Sequence, residues 1–67
     1  MAGAQIGLRG TITIATRGEQ GPGEVELSVT GGSETFIAYS DEPLARGVSV
    51  VVIDVRTNRK VDVTPLA

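Results

Sequence analysis

Glu24-Val25-Glu26-Leu27-Ser28-Val29-Thr30, followed by Gly31-Gly32, alternates apolar and polar residues without a break. Successive side chains of a β-strand point to opposite faces, so Val25, Leu27 and Val29 share one side and Glu24, Glu26 and Ser28 the other. Such a strand sets one face on a core and the other in water. The two glycines tolerate positive φ, which predicts a tight hairpin turn directly after it. The same reading extends outward from this strand in both directions.

Upstream, Arg17-Gly18-Glu19-Gln20-Gly21-Pro22-Gly23 is a turn by composition. Before it, Leu8 to Thr16 predicts a first strand with Leu8, Gly10, Ile12 and Ile14 inward and Arg9, Thr11, Thr13 and Ala15 outward. Gly10 marks a bulge or sharp bend of the kind a small barrel uses to close. Downstream, Glu34 to Ser40 predicts a third strand with Phe36 and Ala38 inward and Thr35, Ile37 and Tyr39 outward. Asp41-Glu42-Pro43-Leu44-Ala45-Arg46-Gly47 predicts one helical turn, with Asp41 as its cap, Pro43 early in it and Gly47 after its end. Leu44 is expected to plug the bottom of the core.

Val48 to Arg56 predicts a fourth strand. Val50, Val51, Val52, Ile53 and Val55 make it apolar on both faces, which fits a strand buried on both sides. Thr57-Asn58 turns the chain, with Asn58 expected in the left-handed conformation. Arg59 to Thr64 is the fifth strand, with Val61 and Val63 inward, and Pro65-Leu66-Ala67 closes the sequence. The predicted core is Ile12, Ile14, Val25, Leu27, Val29, Phe36, Val50, Val52, Val61 and Val63.

Three meandering strands, a helical turn and a final hairpin predict an all-β domain. Closing the sheet removes its edges and encloses one core. A five-stranded OB-fold barrel has this strand count and a helix between strands three and four. An SH3-like small barrel is the alternative, but its helical turn falls one strand later.

At 67 residues the chain is one domain. Residues 6–67 are read as that domain. Met1-Ala2-Gly3-Ala4-Gln5 is read as a short leader or a boundary inside a longer protein, because it lacks the basic start and apolar stretch of a signal peptide. No window approaches the roughly 18 apolar residues that span a bilayer.

Cysteine and histidine are both absent. Disulfides, thiolate metal sites, the commonest metal ligand and the commonest general base are thereby removed. Ser28, Ser33, Ser40 and Ser49 have no histidine to activate them, and Lys60, the single lysine, lies in a predicted turn. Glu24 and Glu26 read as a solvated strand face, and Asp41 and Glu42 as capping residues. The glycine-rich turns precede no helix that could hold a phosphate. The chain is therefore expected to have no catalytic residues, no metal site and no cofactor.

Nucleic-acid binding on an OB barrel stacks bases on aromatic residues in a basic groove. Phe36 and Tyr39 are the two aromatics, and they lie on opposite faces of one strand. The formal net charge is -2, from 6 basic and 8 acidic residues, and Arg56, Arg59 and Lys60 cluster at one hairpin. A free-standing RNA- or single-strand-DNA-binding protein, similar in size and strand order to bacterial translation initiation factor one, is thus a weaker alternative. A structural adaptor is a third.

Several stretches resemble the soluble C-terminal domain of NfeD-family membrane proteins. They are Gly7-Leu8-Arg9-Gly10-Thr11, Gly23-Glu24-Val25-Glu26-Leu27, Glu34-Thr35-Phe36-Ile37-Ala38-Tyr39-Ser40-Asp41, Pro43-Leu44-Ala45-Arg46-Gly47, Val50-Val51-Val52-Ile53-Asp54-Val55 and Lys60-Val61-Asp62-Val63-Thr64-Pro65-Leu66. The resemblance spans Ile6 to Leu66. It implies a non-catalytic domain carried by a membrane-anchored parent, on the cytoplasmic face, that partners stomatin- or flotillin-like scaffold proteins. It brings no set of functional residues with it.

The residues themselves supply a candidate contact surface. An OB barrel often leaves strands three and five imperfectly joined, and unpaired backbone there can accept another chain. Ile37 and Tyr39 lie on the most apolar outward stripe, beside the basic hairpin of Arg56, Arg59 and Lys60. A scaffold protein or a second copy is expected to bind there. Packing of Ile37 and Tyr39 beneath the Asp41–Gly47 loop is the competing expectation.

Overall fold

The computed structural model describes residues 5–66. The alternation in the second strand does what it predicts. β2 (Gly23–Val29) and β3 (Gly32–Tyr39) form an antiparallel hairpin in unbroken register from Gly23↔Ala38 to Val29↔Gly32. The turn residues are therefore Thr30 and Gly31, one position earlier than expected. Gly31 sits at φ 86, a conformation that costs an ordinary residue about 1–2 kcal/mol.

β1 (Arg9–Ile14) pairs with both β2 and β4 (Ser49–Val55), and β4 pairs with β5 (Lys60–Pro65). A parallel pairing of β3 with β5 completes a closed barrel in the order β1-β2-β3-β5-β4. This is the OB-type barrel expected from the sequence.

Gly10 is in regular register with Leu27 on one side and Val50 on the other. It is not the bulge. A Cβ there would run into the Glu26 carbonyl oxygen and the Leu27 side chain. The glycine lets β1 press onto β2.

The irregularity of β1 lies between Ile12 and Ile14, where the register shifts. It breaks the period of two. Ile12 is buried, but Ile14 is 54% exposed, against expectation. Val29 is only half-buried, because its partner Gly32 has no side chain and the β1 register ends at Leu27. The rest of the predicted core holds, joined by Ala38 and Leu44.

β4 has a second register shift between Val52 and Asp54. It leaves Ile53 54% exposed. The expectation of a strand buried on both faces therefore fails. Val50 and Val52 face the core, while Val51 and Val55 are half-buried.

No helix forms over Asp41–Gly47. Both backbone groups of Leu44 go to Thr16 instead: the Leu44 amide donates to Thr16 Oγ1 at 2.8 Å, and the Thr16 amide donates to the Leu44 carbonyl at 2.9 Å. These bonds hold the loop against the end of β1 and leave Leu44 7% exposed, the plug expected of it. Among the described residues the single helical turn, 3₁₀ in type, is Gly18–Gln20, in the stretch read as a turn between β1 and β2.

The β4–β5 turn is closed by the Lys60 amide donating to the Thr57 carbonyl. Its left-handed residue is Arg59 at φ 57, not Asn58. Positive φ at the third position is what a type II turn requires. The expected leader 1–5 lies outside the described residues apart from Gln5.

Candidate partner-binding surface

The parallel β3–β5 pairing assembles the surface. It sets Ile37 beside Lys60 and Tyr39 beside Asp62 on the outer face, with the inward pair Ala38 and Val61 between them. The edge expected to be open is thus sealed along Ile37–Tyr39, reinforced by the Ile37 amide donating to the Arg59 carbonyl at 2.7 Å. Closure of the barrel takes up those backbone groups. On its β5 side, the stretch of β3 before Ile37 has no strand register.

The hairpin arginines fold back onto β3. Arg56 lies over the Tyr39 ring, 3.8 Å from its centroid. It also grips Asp62, with Nε donating to both carboxylate oxygens at 3.2 Å and Nη2 donating to Oδ1 at 3.0 Å. That hydrogen bond is the main reason the Arg56 guanidinium is held above its ordinary pKa; desolvation opposes it, and the charge of Asp62 adds to it.

Arg59 reaches the other way. Its guanidinium sits 4.8 Å from the Phe36 ring centroid, donates to Glu34 at 3.2 Å and to the Thr35 carbonyl at 3.1 Å. Among the described residues Lys60 makes no ion pair.

Of the five residues singled out in the sequence, Ile37, Tyr39, Arg56 and Lys60 therefore meet on one wall, while the Arg59 side chain turns away to Phe36 and Glu34. Ile37, Tyr39 and Lys60 are half-buried, while Arg56 and Arg59 are exposed. The Tyr39 face is covered by a cation. The wall thus presents a half-buried aromatic, a flanking isoleucine and one unpaired ammonium, rather than an open apolar stripe.

Two features were not legible in the sequence. The first is a small polar network at Thr16, which is 2% exposed. Its hydroxyl lies 2.6 Å from Ser40 Oγ, and Ser40 Oγ donates to the Glu42 carbonyl at 2.7 Å. The second is a groove beside Tyr39, bounded by residues 40–42, by Leu44, Ile53 and Asp54, and by residues 62–65.

Among the described residues no group of three or more aspartate or glutamate side chains could hold a metal ion, and no helix is long and apolar enough to cross a membrane.

The NfeD C-terminal domain family model matches residues 9–64. The chain is also similar to the soluble domain of the NfeD protein YuaF from Bacillus subtilis, known from a solution structure. The two are 29% identical with a TM-score of 0.73, over 90% of this chain and 71% of the other. No curated protein matches it.

Proposed function

The chain belongs to the NfeD C-terminal domain family, and on that premise we propose that it is a non-catalytic protein-interaction domain. In this reading it is the part of an NfeD-like membrane protein, on the cytoplasmic face, that engages stomatin- or flotillin-type scaffold proteins. The β3–β5 wall of Ile37, Tyr39, Arg56 and Lys60, together with Arg59, is the contact.

The observation that carries this reading is the half-buried Tyr39 side chain, packed under Arg56 at the centre of that wall. An aromatic already packed loses little conformational freedom on binding, which is why such residues anchor interfaces. The arginines also weigh against a phosphate-binding role. Arg56 and Arg59 are each joined to a carboxylate, Asp62 and Glu34, so the hairpin offers less free positive charge than its composition implies.

Titration of the domain against a purified stomatin- or flotillin-type protein tests the reading. Binding is expected, and Tyr39→Ala should weaken it by about 30-fold, the effect of losing an anchor of about 2 kcal/mol. Lys60→Glu should weaken it as well. Absence of binding, or equal binding by both folded variants, sinks the proposal.

A further inference from the structure

We propose that the groove beside Tyr39 docks a short extended peptide segment in which a bulky apolar side chain is flanked by lysine or arginine. The groove encloses about 390 Å³, within the range of sites that take small ligands and side chains. Its apolar lining includes Leu44 and Val63, both members of the barrel core. Ile53 lines it as well.

Ile53 is the residue the barrel does not need there. The register of β4 jumps from Val52↔Val63 to Asp54↔Asp62, so Ile53 has no cross-strand partner. More than half of it is in solvent. Bulges re-aim a side chain at the expense of ladder pairing, and they recur beside binding sites. An isolated exposed isoleucine is unremarkable on a surface; one that borders a groove reaching the core is a place for an apolar side chain to be received.

The rim decides what kind of segment fits. Asp41, Glu42, Asp54 and Asp62 line the groove, and no lysine or arginine does. Asp62 is paired with Arg56, and Asp54 accepts the Val55 amide. Asp41 and Glu42 have no ion pair among the described residues. A purely apolar occupant would strip water from these carboxylates with nothing in return. An anionic lipid surface or a nucleic acid would be repelled. A segment carrying both an apolar side chain and flanking cations satisfies floor and rim together.

This site goes beyond the wall proposed above. Tyr39 borders both, Ile53 belongs to the groove, and Ile37 and Lys60 belong to the wall.

The experiment is an NMR titration of the isotopically labelled chain with three amidated hexapeptides: alternating lysine and leucine, alternating glutamate and leucine, and all lysine. The lysine–leucine peptide is expected to shift the amides of residues 41, 42, 44, 53, 54 and 62–64 in a saturable way. The other two should bind about tenfold more weakly or worse. Ile53→Ser should weaken binding of the lysine–leucine peptide by about tenfold with an otherwise unchanged spectrum, because Ile53 supports no core packing. The double variant Asp41→Asn, Glu42→Gln should weaken it several-fold and reduce its salt dependence.

Four results would overturn the proposal: no shifts at these amides, equal binding of the all-lysine or glutamate–leucine peptide, unchanged binding by Ile53→Ser, or shifts centred on Ile37 and Lys60. The two proposals fail separately. Scaffold binding that is lost in Lys60→Glu but kept in Ile53→Ser belongs to the wall.

Discussion

The Arg56 guanidinium lies 3.8 Å from the centre of the Tyr39 ring while holding Asp62 through three hydrogen-bond contacts. One cation thus ties the start of the β4–β5 turn to the outer faces of β3 and β5. The tie is exposed, so its contribution to stability is small. Its raised pKa keeps Arg56 charged: such a group's contribution is complete below the unfolded-state pKa and is lost only at strongly alkaline pH, so Arg56 adds no pH dependence near neutrality. Its structural effect is to cover one face of the Tyr39 ring.

Tyr39 is the sole tyrosine and the chain has no tryptophan, so tyrosine emission reports on this contact alone. Arg56→Ala is expected to uncover the ring and raise its quenching by acrylamide, with only a slight fall in melting temperature. Unchanged quenching would show that Arg56 does not shield the ring in solution.

Leu27 is 0% exposed and Ile14 is 54% exposed, although the sequence placed both inward. Leu27→Ala should cost about 2–5 kcal/mol, while Ile14→Ala should stay within about 0.5 kcal/mol of the parent. Urea denaturation of the pair measures the difference. In a domain this small the Leu27 variant is expected to be largely unfolded at moderate denaturant.

Thr16→Val removes the hydroxyl that accepts the Leu44 amide and meets Ser40. The buried amide would be left without a partner, at a cost of about 1–3 kcal/mol. Thr16→Ser keeps the hydroxyl and should cost less. Hydrogen exchange at Leu44 should speed up in the valine variant and much less in the serine variant.

Gly10→Ala places a methyl against the Glu26 carbonyl. Backbone cannot yield as a side-chain tip can, so β1 must move off β2, at about 1–3 kcal/mol or more. Gly31→Ala meets nothing within 4 Å and should cost only about 1–2 kcal/mol for its positive φ. Thermal melts that rank the two in the opposite order would contradict the close approach at Gly10.

The sequence by itself determined the number of strands, the hairpin of β2 and β3, and the inward sides of β2, β3 and β5. A period of two is local: once Val25, Leu27, Phe36, Ala38, Val61 and Val63 alternate with polar or outward residues, each strand has one side that can enter a core. The tertiary structure alone decided the rest. Where the extra residue of a bulge falls depends on which partner strand it must match, so nothing near Ile14 or Ile53 in the chain marked them as exposed. The helical signals of Asp41, Pro43 and Gly47 were sound, but Thr16, 28 residues before Leu44, supplied better hydrogen bonds than a helical turn would. The groove and the place of Asp62 have the same origin. Arg56, Tyr39 and Asp62 meet only because β3 and β5 pair in parallel, and a parallel pairing between distant segments leaves no periodicity to read.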